Sequence, residues 1–405
     1  MVDFRRNVFC LLGLPLDAIN MADTVRRVRD AAARRTPCLL STPNTNWVVD
    51  CLGDGRFRDS TISSDLNVVD GRPLVWIARL LDIPIPEPVP GSTLFDWLRR
   101  LNGRQLSVFF FGGVDGAAEK ACRRLRMENQ GLTCVGFDAA GFGSVEDMSR
   151  DEVIRRINMS KADFLVVALG AKKGQAWIER NRERVSVPLV SYLGAVVNFA
   201  ADTVRRAPAW VQRMGFEWLW RIKEEPVLWR RYFRGGVSLL ALLATRVVPY
   251  AWYLRRNRHD AGSLSAGRVE ARDERDEYVI TLSGIWTREN LAPVRECYAT
   301  ASMAGKHVRL DLHATTYVDS AFVGLTILLQ GSQKRRGRAF QIVGARETVR
   351  RVVRYCCAEY LFASYPVGLQ ARAAETLRRR ADEQRALAMP GIEEAGREHG
   401  CSGYG

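Results

Sequence analysis

Between Val8 and Val197 the chain repeats one rhythm: a short apolar run, then a stretch with helical spacing. The runs are Cys38–Ser41, Ser107–Phe111, Thr133–Phe137, Phe164–Leu169 and Pro188–Tyr192, and they are too short and too uniformly apolar for helices. Ala117–Asn129 and Asp151–Met159, between them, carry apolar residues at helical intervals. Strands that alternate with helices and expect cover on both faces predict an α/β, Rossmann-like, mainly parallel sheet. Ligands of such sheets bind beyond the carboxyl ends of the strands. The loops that follow each run are therefore the places to search for chemistry.

The character changes at Val204. Up to Arg258 there are twelve Arg or Lys against three Glu, and five of the ten tryptophans (Trp210, Trp218, Trp220, Trp229 and Trp252) fall here. Val211, Met214, Trp218, Leu219 and Ile222 recur at helical spacing, and Pro226 suits the first turn of a following helix. Val237–Leu254 is apolar but contains Arg246 and Pro249, so it reads as short and interrupted for a membrane span, which needs about 20 apolar residues. Basic, aromatic and amphipathic together predict a segment lying among lipid headgroups. The alternative is a set of helices packed on the core. The chain's net charge of +15 points to polyanionic partners without choosing among them.

Residues 257–267 read as a linker. After it comes a second, small α/β pattern: strands at Tyr278–Leu282, Val308–Leu312 and Ala339–Val343, helices at Arg288–Ala301, Ala321–Gln330 and Thr348–Tyr355. The expected division is an α/β core over 1–203, a basic Trp-rich docking appendage over 204–256, the linker, a second domain over 268–375, and a helical then disordered tail over 376–405.

Several chemistries are disfavoured. The nine cysteines are scattered, without a Cys-x-x-Cys pair, and the four histidines (His259, His307, His313 and His399) lie late in the chain, so neither a zinc site nor a disulfide framework is expected. Free buried thiols in a reducing compartment are the expectation. Met1-Val-Asp-Phe-Arg-Arg6 does not open a secretion signal, which makes the cytoplasm the default. No Asp-x-Asp occurs before residue 260, so no metal and no cofactor are expected. The charge sits beside tryptophans rather than on a helix-turn-helix pattern, which disfavours nucleic acid.

Candidate chemistry gathers at the strand ends. Asp70, ahead of Gly71, places a carboxylate at a strand-to-loop boundary, where a general base for a sugar hydroxyl would be positioned; an Asp-Gly pair is also an ordinary turn. Phe111-Gly112-Gly113 runs from a strand into a turn whose bare amides suit a diphosphate, or is a tight turn and no more. Leu169-Gly-Ala-Lys-Lys173 closes another strand with two lysines, in a phosphate contact or a solvated loop. Asn44 follows the first of the predicted strands.

Taken in order, Val8–Asn20, Thr42-Pro-Asn44, Asp70-Gly71-x-Pro-Leu74, Val89-Pro-Gly-Ser92, the glycine turn at 109–116, Leu169-Gly-Ala171, Arg206-Ala-Pro208, Glu217-Trp-Leu-Trp-Arg221 and Glu225-Pro226 through Tyr232 resemble the WecG/TagA/CpsF family, glycosyltransferase family 26. The resemblance implies an inverting, metal-independent hexosyl- or N-acetylhexosaminyltransferase. Such an enzyme moves sugar from a UDP-sugar to a polyprenyl-diphosphate-linked sugar at the inner membrane face, in surface polysaccharide biosynthesis. It implies Asp70 as base, with Thr42, Asn44, Gly91, Ser92, Gly112, Gly113, Lys173, Gln175 and Asn198 lining the donor and acceptor cleft. Arg206, Arg221, Arg230 and Arg231 would neutralise diphosphate or lipid. The sequence departs from the family pattern at Pro88, at Gly174 and at Asn198, implying a different donor or a catalytically idle, membrane-associated scaffold.

Thr281-Leu-Ser-Gly-Ile-Trp286, Leu310-Asp-Leu312 and Tyr317-Val-Asp-Ser-Ala-Phe-Val-Gly-Leu325 resemble a STAS domain. That implies a protein partner, with Asp319 and Ser320 as regulatory positions at a helix start. Asp or Ser there is also an ordinary N-cap, and Phe322 replaces the usual glycine.

Overall fold

A computed structural model describes residues 2–113, 116–139, 143–201, 207–208, 211, 217–224, 229–257 and 267–363. Its larger sheet has six strands: β3 (Cys38–Ser41), β4 (Leu66–Asn67), β5 (Leu106–Gly112), β6 (Leu132–Asp138), β7 (Phe164–Ala168) and β8 (Leu189–Tyr192). They lie in the order β4-β3-β8-β7-β5-β6, and every pairing is parallel. Successive side chains on a strand point to opposite faces. Accordingly Val108, Phe110, Phe164 and Val166 enter one core, with α1 (Met21–Ala33), α5 (Gly91–Arg100), α6 (Ala117–Glu128) and α9 (Gly194–Ala200). Phe109, Phe111, Leu165 and Val167 enter the other, against α7 (Asp151–Met159) and α8 (Ala171–Asn181). The Rossmann-like expectation holds.

Ahead of this sheet stands a hairpin, β1 (Val8–Leu11) and β2 (Leu14–Asp17), turned by Leu12 and Gly13, both at positive φ. Helices α2 (Thr45–Gly53), α3 (Gly55–Ile62) and α4 (Arg72–Leu80) complete this half. Asp17 closes β2 with a buried ion pair: Arg6 Nε and Nη2 donate to Oδ1 and Oδ2 at 3.0 and 2.6 Å. Asp17 Oδ2 also accepts the Asn67 N–H of β4 at 2.7 Å.

The second sheet is mixed. β9 (Arg268–Asp273) runs antiparallel to β10 (Glu277–Trp286), and β10, β11 (His307–Val318) and β12 (Phe340–Val343) run parallel, in the order β12-β11-β10-β9. Around it lie the helices Ala292–Met303, Ser320–Arg335 and Glu347–Tyr355. The first of these begins later than the predicted Arg288, because Pro293 suits only the opening turn of a helix.

Helix Ser320–Arg335 is buried along almost its whole length, and from Ala321 to Leu329 it is apolar on every face but for Thr326, as suits a helix covered on every side. Its second coat is the β1–β2 hairpin. A Cβ on Gly324 would meet the backbone of Phe9 and Cys10 at 2.9 Å, so only glycine permits this approach. Phe9, Leu11, Val69 and Leu74 therefore share one continuous core with Ile280, Leu310, Leu325 and Val353.

The expectation of an interrupted apolar segment is corrected. Helix α10 spans Glu217–Glu224; from Trp229 on, α11 (Trp229–Leu242), a π turn at Leu243–Val247 and α12 (Val248–Arg256) run on without a break. Proline lacks an N–H and crowds the carbonyl four residues earlier, and the wider π turn just ahead of Pro249 accommodates it. The stretch Tyr232–Arg256 has the length and composition to cross a membrane, and only 17% of its most apolar window is buried. We number the three later helices α13 (Ala292–Met303), α14 (Ser320–Arg335) and α15 (Glu347–Tyr355).

The cysteine expectation is corrected in part. Cys122 of α6 and Cys134 of β6 are joined as a disulfide, because helix and adjoining strand bring the two within bonding reach. Of the linker only Asn257 and Gly267 are described; the tail from 364 lies outside the described residues.

Candidate active site

The loops singled out from the sequence meet along the carboxyl edge of the six-stranded sheet. β3 and β4 are neighbours, with Ser41 opposite Asn67. Three residues past Asn67 stands Asp70, half-buried, whose N–H donates to the Pro43 carbonyl at 2.9 Å. The Thr42–Asn44 and Asp70–Gly71 motifs are thus tied to each other. Gly71 (φ +111°) makes the turn into α4, leaving Asp70 just before a helix N-terminus.

Thr42 is buried against Gly91, the first residue of α5; a Cβ there would lie 3.3 Å from Thr42 Oγ1 and collide with Leu193 past β8. The Val89 N–H donates to the Val69 carbonyl at 2.7 Å, which draws Gly91 and half-buried Ser92 toward Asp70. Asn44 caps α2, its Oδ1 accepting the Trp47 N–H at 3.0 Å.

Farther along the edge lies the second group. Gly112 packs against Ala168 and Leu169, and Gly113 against Val197. From β4 to β5 is four strand spacings, about 19 Å at ~4.8 Å each. One compact molecule cannot touch both ends; an elongated one can. Lys173 at the start of α8 donates to the Gly143 carbonyl. Gln175 is buried, its Nε2 donating to Ser41 Oγ at 2.9 Å, so it supports the edge from beneath rather than lining the cleft.

Gly174, one of the departures, has a structural counterpart: a Cβ there would meet the Tyr192 ring at 2.6 Å. Tyr192 in turn lies 5.5 Å from Trp47. Larger residues at 174 require that ring to move. The thiols nearby are inert: burial pushes Cys38 and Cys51 up to about 12. Among the described residues no cluster of His, Cys, Asp and Glu is arranged to hold a metal.

Helix α11 reaches this site. A Cβ on Gly235 would collide with the Asn46 side chain of α2, next to the Asn44 cap. Sequence reasoning missed this contact, although Gly235-Gly236 inside an apolar helix was a signal for close approach. On its other side the helix leaves Trp229, Phe233, Val237, Leu240, Val248 and Trp252 exposed in one stripe. Arg230 lies over the Trp229 ring, and Arg256 lies 3.7 Å over Trp252. Arg206 and the side chains of Asn198, Arg221 and Arg231 lie outside the described residues.

In the second sheet's half, Asp319 caps α14. Its Oδ1 accepts the Phe322 N–H at 2.9 Å and Oδ2 the Arg288 N–H at 2.8 Å. Burial still pushes its carboxyl above the ordinary range, despite those two donors. Ser320 is 6% exposed, which closes its hydroxyl to a modifying enzyme in this conformation.

Comparison with known proteins matches residues 9–251 to the glycosyl transferase WecG/TagA/CpsF family, and residues 269–358 to the Mlab, STAS domain family. Similar proteins include the N-acetylglucosaminyldiphosphoundecaprenol N-acetyl-beta-D-mannosaminyltransferase of Bacillus spizizenii, 26% identical over 47% of this chain and 73% of the relative. The protein of the same name from Bacillus subtilis is 24% identical over 48% and 74% of the two chains. That from Staphylococcus aureus is 22% identical over 55% and 86%.

Proposed function

Because the chain belongs to the WecG/TagA/CpsF glycosyltransferase family, with a STAS domain behind, we propose that it moves a hexosyl or N-acetylhexosaminyl group from a UDP-sugar to a polyprenyl-diphosphate-linked sugar. The reaction inverts the anomeric centre, needs no metal and serves surface polysaccharide synthesis. The relatives' names, which specify an undecaprenol-diphosphate-linked N-acetylglucosamine acceptor, support this acceptor class.

The observation that carries the reading is the Asp70 N–H bond to Pro43, which joins a carboxylate to the Thr42–Asn44 loop at the open sheet edge. In the proposed step Asp70 takes the proton of an acceptor hydroxyl. That oxygen attacks the anomeric carbon of the donor from the face opposite UDP. The new C–O bond forms as the bond to phosphate breaks, and UDP departs with the electron pair. The amides of Gly91 and Ser92, beside Asp70, face the nucleotide diphosphate, and the Gly112–Gly113 turn with Lys173, farther along the edge, receives the far end of the elongated donor. Arg206, Arg221, Arg230 and Arg231 neutralise lipid diphosphate from the appendage. Asn44 and Asn198 orient sugar hydroxyls.

The stripe from Trp229 to Trp252 lies on the cytoplasmic leaflet as a peripheral anchor. A spanning arrangement fits less well. Gly235 rests on α2, and Arg246 pairs with Glu359 at 2.9 Å, so folded protein flanks the helix on both halves. Replacing Asp70→Asn tests the base: turnover of UDP-sugar and lipid-linked acceptor should drop roughly 100-fold or more with the fold intact. Transfer at the parental rate overturns the assignment.

A further inference from the structure

The structure offers the STAS half a partner inside its own chain. Two surfaces of the transferase half are seated on it. The first is the β1–β2 hairpin, which covers α14 at Gly324, while Gly331 faces Ile62 of α3, where a Cβ would come to 2.6 Å. Arg295 of α13 reinforces this seat, its Nη1 donating to the carbonyls of Phe4 and Arg6 at 2.7 and 2.6 Å. The second is the long helix. Tyr250 stacks on Tyr355 at 5.5 Å, and Tyr253 on Tyr317 at 6.2 Å. Arg246 Nη1 donates to the Arg354 carbonyl at 2.9 Å and pairs with Glu359.

We propose that the STAS domain takes the transferase half of its own chain as its partner and acts as a brace for helix 229–256, with Arg246, Tyr250 and Glu359 as positioning residues for the lipid-borne acceptor. The helix is held at two places. Its amino half rests on α2, beside the Asn44 cap, and its carboxyl half on α15 and the end of β11. Fixing both ends sets the angle of the open stripe against the site. A bilayer touching that stripe then meets the cleft at one height. The same seating covers α14 with the chain's own residues, which leaves that face closed to a separate protein.

The test uses the full chain and a charge exchange, because Arg246 and Glu359 are 29% and 45% exposed and their exchange buries no new charge. The variants are Arg246→Glu, Glu359→Arg and the two combined. Amide hydrogen exchange is followed over 232–256, and kinetics are measured on vesicles of equal parts phosphatidylethanolamine and phosphatidylglycerol carrying the acceptor. Each single variant should exchange about fivefold faster in that helix and show a KM for acceptor raised about fivefold, the range of a part-exposed ion pair. Donor KM, and kcat at saturating acceptor, should stay at parental values, and the combined variant should regain most of both lost properties, all but the share held by the Arg246 bond to the Arg354 carbonyl, which a carboxylate cannot replace. Parental exchange in the single variants, or no recovery in the combined one, overturns the brace. The kinetic readout rests on the transferase reading and the exchange readout does not. Exchange rescued without any sugar transfer would therefore uphold the brace and sink the transferase assignment.

Discussion

Replacing Asp17→Asn should destabilise the protein far more than a surface charge would. Arg6 and Asp17 are each 3% exposed, and the guanidinium also donates from Nη1 to the Ser64 carbonyl at 3.0 Å. Burial opposes charge on Arg6, yet the Asp17 carboxylate more than offsets it and holds the guanidinium above its ordinary pKa. A guanidinium cannot be deprotonated at neutral pH, so Arg6 stays charged even after its partner is neutralised and the raising influence of Asp17 is gone, and an unpaired buried cation costs about 3–5 kcal/mol. Urea unfolding should show that loss as a lower midpoint at unchanged slope. The pair of changes Arg6→Met with Asp17→Leu removes both charges and should lie much closer to the parent, within about 1–2 kcal/mol. An Asp17→Asn loss below about 1 kcal/mol, the size of an exposed pair, would refute the claim that the site is dry and its charge uncompensated. The functional echo should be a looser Asp70 loop, because Asp17 also holds Asn67.

Two further expectations concern the docking stripe and acid stability. Phe233→Glu with Leu240→Glu puts two anions on the open face, at positions 67% and 66% exposed, and should abolish co-sedimentation with anionic vesicles while leaving the melting temperature near the parent's. Unchanged pelleting would refute membrane contact there. Asp54 caps α3 through the Phe57 N–H at 3.1 Å and pairs with Lys172. The Phe57 N–H, with Lys172, holds its pKa below the ordinary 3.8. A depressed carboxyl stabilises above its unfolded value and loses that contribution as pH falls through the folded one. Asp54→Ala should therefore cost about 1 kcal/mol at neutral pH, and the difference from the parent should shrink well below pH 3.8, where only the weaker neutral cap remains. A difference undiminished in acid would refute the charged cap.

What was legible in the sequence was what burial writes into it. Cys38–Ser41 and Asp151–Met159 form as expected, because a doubly covered strand and a one-sided helix leave clear patterns. The meeting of Thr42, Asp70 and Gly91 follows from strand-end logic once the strands are in order. β9 escaped because Arg268–Asp273 is an exposed, charged edge strand that pairs through its backbone. The hairpin turn escaped because Leu12 at positive φ gives no turn signal. Helix α14 was read as a helix, but nothing in the mostly apolar run Ala321–Leu329 says which element covers its far side. Gln175 was read as lining the cleft, and only the position of Ser41 beneath the edge shows otherwise.

The seating of β1 on α14 bears on how the chain is made. Cys10 and Gly324 touch, yet more than three hundred residues of synthesis separate them. During translation the first hairpin emerges early and has no cover until the last helices leave the ribosome. Contacts so distant in sequence form slowly, and an apolar strand waiting for its cover invites wrong pairings. Expression of this protein should accordingly be sensitive to truncation near its carboxyl end, even where the sugar-transfer site is untouched.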